Sequence, residues 1–188
     1  MSREGIQLNL PNLISFARLL SVPLTVWLIL NDFQLTAFYI FVAACISDAA
    51  DGFIAKKFNL QTELGGYLDP LADKALLVSV FITLGHAGLM DTWLVILVVF
   101  RDALIICGAI LYHLLHQNLY MKPIIVSKIN TFAQFFLAAN VMFMAGTGIS
   151  DTLLTGILVY LVAITTLLSG AAYVVSWGQK AVELEPGE

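Results

Sequence analysis

The chain has 188 residues, 60% of them hydrophobic and 12% charged, with a formal net charge of −4. A soluble domain carries about 25% charged residues, so this composition excludes an ordinary water-soluble domain, and no nucleic-acid partner is expected. Apolar runs of about 20 residues recur, the length a helix needs to cross a bilayer.

Taken in order, residues 5–11 (GIQLNLP) alternate weakly and end in proline. They are expected to lie on the membrane surface as a short interfacial segment. The start, MSREGIQLNLPN, has mixed charge and no A-x-A site closes the first apolar run, so an uncleaved N-terminus is expected. The spacing predicts six spans, at 12–30, 34–57, 64–86, 91–114, 123–145 and 151–177. Arg18 sits two turns into the first. Its ordinary reading is snorkelling to a head group; its functional reading is that it faces a polar site. The second span is apolar to Ile46, then carries SDAADG and leaves through Lys56 and Lys57. The fourth contains Arg101-Asp102, and the fifth has Lys128 and Asn130 in its early turns. Cys45 and Cys107 read as small buried hydrophobes rather than a disulfide or metal pair. Small residues at Gly108-Ala109, Ala138-Ala139 and 169–172 (SGAA) suit close helix contact.

The fold class is therefore all-α and integral to the membrane: six transmembrane helices in one domain over 1–180, with a flexible cytoplasmic tail at 181–188. The loops near 31–33, 86–91 and 146–151 contain no Lys or Arg, whereas the opposite ends hold Arg3, Lys56, Lys57, Lys122 and Lys180. The positive-inside rule then puts both termini and the 57–63 loop in the cytoplasm.

The chemistry concentrates between Asp48 and Asp73. Four aspartates, Asp48, Asp51, Asp69 and Asp73, lie in or beside apolar segments. Each costs roughly 2.5–3.5 kcal/mol at a helix centre in lipid unless something cationic meets it. Asp48 and Asp51 share one helix face at i, i+3, and Asp69 and Asp73 share another at i, i+4. With a short connection between the helices, the carboxylates can converge near the cytoplasmic side. Carboxylate oxygens suit hard divalent cations, and no His/Cys set suits zinc. Two cations would neutralise four carboxylates, and such pairs recur where phosphorus undergoes in-line displacement. Gly52, Ala55, Gly65 and Gly66 leave room for a bulky substrate, and Lys56 stands at the mouth to meet phosphate. Taken singly, each of these could be packing or snorkelling. A structural ion-pair network fails on counting, because the local cations, Lys56 and Lys74, are too few for four aspartates.

The spacing D-x2-D-G-x2-A-R-x8-G-x3-D-x3-D resembles the signature of the CDP-alcohol phosphotransferases. It is met here by Asp48, Asp51, Gly52, Ala55, Gly65, Asp69 and Asp73, with Lys56 in place of the usual arginine. Lysine keeps the charge but loses bidentate phosphate geometry. The resemblance implies two divalent metals, Mg²⁺ or Mn²⁺, held by Asp48, Asp51, Asp69 and Asp73 against the pyrophosphate of CDP-diacylglycerol. It implies Asp73 as general base on the incoming alcohol, CMP as leaving group, and Gly52, Ala55, Lys56 and Gly65 at the nucleotide and phosphates. It also implies a homodimer among membrane lipids.

Within the family, NLPNLISFARLLSVP and YLDPLADKALL look like both phosphatidylglycerophosphate and cardiolipin synthases. KPIIVSKINTFAQ, with Arg101-Asp102, looks closer to the cardiolipin synthases of mitochondrial and alphaproteobacterial type. The expected acceptor is phosphatidylglycerol, with glycerol 3-phosphate as the alternative. Arg101, Lys128 and Arg18 are the candidates to bind it. His86, His113 and His116 lack the H-x-K-x4-D context of the phospholipase-D-like cardiolipin synthases. A divalent-cation transporter could also hold buried aspartates, but would not need Gly52, Ala55 and Lys56 in register. The expected location is the bacterial inner membrane, with the active site on the cytoplasmic side, because no Arg- and Ser-rich leader is present.

Overall fold

The computed structural model describes the backbone of residues 10–57, 63–115, 125–149 and 151–183, and the side chains of 16–47, 72–108, 125–149 and 151–176. Among these residues the chain is all-helical. The six helices are α1 (Leu10–Leu30), α2 (Gln34–Lys57), α3 (Glu63–His86), α4 (Thr92–Leu115), α5 (Ile125–Thr147) and α6 (Thr152–Glu183). The expected interfacial segment at 5–11 lies almost wholly outside the described residues. α6 runs on to Glu183, past the point where a tail was expected to begin, because a helix continues through polar residues until a breaker stops it, and Pro186 comes only later.

The chain changes direction through tight, specifically capped turns. After α1, Asp32 takes a left-handed conformation (φ 63°), and Phe33 N–H closes back on Leu28 O at 2.9 Å. After α3, Gly88 does the same (φ 71°), with Leu89 N–H on Leu84 O at 2.9 Å. Both satisfy carbonyls that a helix end leaves without partners. α6 opens on Asp151, whose Oδ1 accepts from Leu153 N–H at 3.1 Å and Leu154 N–H at 3.0 Å, the two donors an N-cap is suited to meet.

Two compact units form. One comprises Met1–Leu89 with Val141–Ser150, the other Met90–Asn140 with Asp151–Glu188. In the first, α1 packs against both α2 and α3, and Ile29, Phe41, Leu76, Val80 and Phe81 form its buried core. The end of α5 closes on the start of α2 there. Phe38 and Phe143 meet at 5.4 Å between ring centroids, and a Cβ on Gly146 would fall 2.6 Å from Leu35 N. Backbone cannot yield as a flexible side chain can. Gly146→Ala is therefore expected to destabilise the protein by about 1–3 kcal/mol, the usual range for overpacking, read as a lowered Tm in detergent. In the second unit α4 packs on α6 around Leu94, Val98, Leu137, Ala138 and Val162.

The outer faces are strongly apolar. On α6, Leu153, Ile157, Tyr160, Ile164, Leu167 and Val174 are all exposed. Among the described residues α5 and the Thr152–Ser176 part of α6 are long and apolar enough to cross a membrane. At about 1.5 Å per residue, the 23 residues of α5 span roughly 35 Å. Cys45 is half-buried on α2, and Cys107 is exposed on α4 rather than buried as its apolar setting suggested. An apolar setting does not distinguish an inward from an outward helix face when both are apolar.

Candidate active site

Asp48 and Asp51 lie within α2, and Asp69 and Asp73 within α3, so the i, i+3 and i, i+4 spacings are helical, as the sequence predicts. The side chains of Asp48, Asp51, Gly52, Ala55, Lys56, Gly65 and Asp69 lie outside the described residues. Asp73 lies within them and is half-buried. Its Oδ1 accepts a 2.8 Å hydrogen bond from Nη1 of Arg18, across 55 residues of sequence. The Arg18 side chain is 1% exposed and that of Asp73 29%.

The contact follows from the packing of α1 on α3, which brings the third turn of α1 beside the start of the apolar part of α3. A guanidinium buried in apolar surroundings is costly unless paired, and Asp73 supplies the pair. Arg18 thus turns inward to a polar partner rather than snorkelling to a head group. It holds the carboxylate that would serve as base. Among the described residues no three His, Cys, Asp or Glu side chains gather as a metal site, since three of the four candidate ligands fall outside that set. The donor chemistry still fits a hard divalent cation, because the set is all carboxylate, carried on two helices at face-sharing intervals.

The second unit holds a separate polar cluster. Arg101 is 3% exposed and Asp102 1%. Arg101 Nη1 donates to Asp102 Oδ1 at 2.6 Å. Its Nη2 donates to Ser127 Oγ on α5 at 2.7 Å and to Ser169 Oγ on α6. The Tyr173 ring lies 6.0 Å from the guanidinium carbon, within the range of a cation–π contact. The small SGAA stretch lies alongside: a Cβ on Gly170 would sit 3.8 Å from Arg101 Cγ, an ordinary contact. One turn along α5, Asn130 Oδ1 accepts from the hydroxyls of Thr165 and Thr166, each at 2.9 Å. Further on, Asn140 Nδ2 donates to Thr155 Oγ1 at 2.9 Å. Lys128, by contrast, is exposed.

Arg101 is therefore seated as a candidate site residue, but its charge is already met by Asp102. Residue-by-residue reading passed over Ser169, Thr165, Thr166 and Gln134. The signal for them was periodic. Ser127, Asn130 and Gln134 fall at i, i+3 and i+7 on α5, and Thr166, Ser169 and Tyr173 at i, i+3 and i+7 on α6, so each set lines one face.

A family model for CDP-alcohol phosphatidyltransferases matches residues 8–175. The chain is 35% identical over 191 residues to the CDP-diacylglycerol–glycerol-3-phosphate 3-phosphatidyltransferase 1, chloroplastic, of Oryza sativa subsp. japonica, covering 92% of this chain and 58% of that protein. It is 31% identical over 196 residues to the cardiolipin synthase (CMP-forming) of Rattus norvegicus, covering 96% of this chain and 65% of that protein. To the CDP-diacylglycerol–glycerol-3-phosphate 3-phosphatidyltransferase of Rickettsia prowazekii it is 31% identical over 173 residues, covering 89% of this chain and 94% of that protein. The chain thus spans about three fifths of the rice and rat relatives and nearly all of the Rickettsia one.

Proposed function

Because the chain belongs to the CDP-alcohol phosphatidyltransferase family, we propose that it is a six-span membrane enzyme of phospholipid synthesis that moves the phosphatidyl group of CDP-diacylglycerol onto phosphatidylglycerol, giving cardiolipin and CMP. Asp73 carries the reading. It is a half-buried carboxylate at the last position of the family's spaced aspartate motif, and Arg18 holds its Oδ1 at 2.8 Å. In this reading Asp73 takes the proton from the attacking hydroxyl, the oxygen forms a bond to the phosphorus bearing the lipid, and the bond to CMP breaks. Asp48, Asp51, Asp69 and Asp73 would hold two Mg²⁺ or Mn²⁺ ions, which supply charge neutralisation at the pyrophosphate. Gly52, Ala55, Lys56 and Gly65 would receive the nucleotide and its phosphates.

The choice of acceptor rests on charge. The two buried arginines among the described residues are each matched by a carboxylate, Arg18 by Asp73 and Arg101 by Asp102, and Lys128 is exposed. Neither arginine stands ready for the doubly charged phosphomonoester of glycerol 3-phosphate, which favours a head group whose reacting part is a neutral glycerol. The second reading, a phosphatidylglycerophosphate synthase, is favoured by the names of the rice and Rickettsia relatives. A divalent-cation transporter has no support from a family of transferases.

Bilayer residence is supported by the exposed apolar faces of α5 and α6 and by Trp27 and Trp93, both exposed. Each flanks a turn free of Lys and Arg, where interfacial aromatics are common. The proposed setting is a bacterial inner membrane, as a homodimer, with termini and active site towards the cytoplasm.

Purified protein in phosphatidylcholine vesicles with CDP-diacylglycerol and Mn²⁺ is expected to release CMP when phosphatidylglycerol is added and to stop on chelation with EDTA. Release with glycerol 3-phosphate alone would select the second reading. No release with either acceptor would reject both.

A further inference from the structure

Arg18 and Asp73 meet wholly within the first unit, which also carries Asp48 and Asp51 on α2 and Asp69 on α3. Their exposures are unequal, 1% for the Arg18 side chain and 29% for that of Asp73. Whatever approaches this pair therefore meets the carboxylate, with the guanidinium behind it. The turn of α1 that carries Arg18 is specially tied. Pro23 has no N–H to offer Leu19 O, so the backbone ladder loses a rung in the turn that follows Arg18. Two hydroxyls bond around that gap: Ser21 Oγ donates to Arg18 O at 2.6 Å, and Thr25 Oγ1 donates to Ser21 O at 2.8 Å. Arg18, Ser21 and Thr25 fall at i, i+3 and i+7, so the three share one helix face, and Thr25 is 0% exposed. The segment that aims Arg18 is thus held by side chains as well as by backbone.

An aspartate carboxylate rotates easily about χ2, a torsion with broad wells. A bond to one of its oxygens from a side chain that is itself buried selects one orientation. A guanidinium suits this task, being planar and always charged. We propose that Arg18 is a positioning residue for Asp73. It acts through the carboxylate: by holding Oδ1 it fixes the direction in which Asp73 presents itself to the attacking hydroxyl and to a bound Mn²⁺, and it touches neither substrate. This role rests on the transferase reading above and adds to it the residue that aims the base. It differs in its kinetics from a cation that binds the acceptor. An acceptor-binding residue acts on the acceptor's KM. A residue that aims the base acts on kcat, because displacing a reacting group by about 1 Å costs on the order of a hundredfold in rate.

The test is Arg18→Lys, which keeps a cation and loses the planar fork, beside Arg18→Gln, whose shorter side chain loses both charge and reach. kcat is expected to fall about tenfold in the first and about a hundredfold in the second, the range for losing a partner that orients a ligand. The KM for CDP-diacylglycerol and that for the acceptor are expected to stay within about twofold. Lysine thus rescues part of what glutamine loses. A measurement without turnover accompanies these. Mn²⁺ alone is titrated into the protein and followed by its EPR signal, and its affinity is expected to weaken about tenfold in Arg18→Lys. If the unsubstituted protein binds Mn²⁺ but releases no CMP with either acceptor, the transferase reading falls and the titration still decides whether Arg18 orients Asp73. If it binds no Mn²⁺ either, the positioning role falls as well. Three further results overturn that role. An acceptor KM that rises with kcat unchanged would place Arg18 on the acceptor. Mn²⁺ binding that tightens in Arg18→Lys would make the guanidinium a competitor for the carboxylate. A lowered Tm with kcat and Mn²⁺ affinity unchanged, or failure of both variants to fold, would leave a structural pair only.

Discussion

Asp73→Asn is expected to lose turnover by three orders of magnitude or more while still binding CDP-diacylglycerol. The amide has the shape of the carboxylate but cannot take a proton, and general-base catalysis contributes roughly 10²–10⁴-fold. The substitution also removes a charge from the proposed metal-binding set, which adds to the loss. CMP release and equilibrium nucleotide binding, measured on the same preparation, separate the two effects. Near-normal turnover would remove Asp73 from the base role. A structural consequence comes with the chemical one. Arg18, 1% exposed at its side chain, loses the carboxylate at 2.8 Å. Breaking a fully buried pair costs about 3–5 kcal/mol, and the 29% exposure of Asp73 places this case below that range. Arg18→Met combined with Asp73→Asn is then expected to recover stability but not activity. If activity returned with stability, the defect would be one of folding.

Arg101→Ala is expected to be among the most destabilising single substitutions in the second unit. Asp102 is 1% exposed and bonded to Arg101 at 2.6 Å. Removing the guanidinium takes away the charge opposite a buried carboxylate, for which about 3–5 kcal/mol is the usual cost. The hydroxyls of Ser127 and Ser169 lose their shared donor as well. Arg101→Ala with Asp102→Ala is expected to be more stable than Arg101→Ala alone, because a pair replaced by apolar groups leaves no uncompensated charge. Thermal unfolding in detergent measures both, and a double variant as unstable as the single one would locate the cost elsewhere.

Much of this was legible in the chain because it depends on local periodicity. The sequence places the second helix at 34–57, and α2 occupies the same residues. The other starts and ends agree within two residues, apart from the far end of α6. Long apolar runs broken by polar turns leave little freedom in where helices begin. The aspartate spacings were legible for the same reason, since i, i+3 and i, i+4 have one meaning on a helix. Arg101 with Asp102 could be anticipated because the partners are adjacent in sequence. The seat of Arg101 could not, because Ser127 and Ser169 reach it from two other helices. Gly146 carried no sequence signal. Its requirement comes from Leu35, more than a hundred residues earlier, whose backbone leaves no room for a methyl group.

The amino-acid sequence by itself determined the all-helical class, the six helices and the family's spaced carboxylates, because each is a matter of composition or of intervals along one helix. Only the tertiary structure decided that Arg18 holds Asp73, that Arg101 is neutralised beside two serines, and that both polar atoms of Gln134 are buried without a partner among the described residues. Those facts depend on which helix faces lie against one another, and in a chain whose helices are apolar on nearly every side the hydrophobic pattern does not choose among faces. The few polar side chains do, by finding partners out of reach of water.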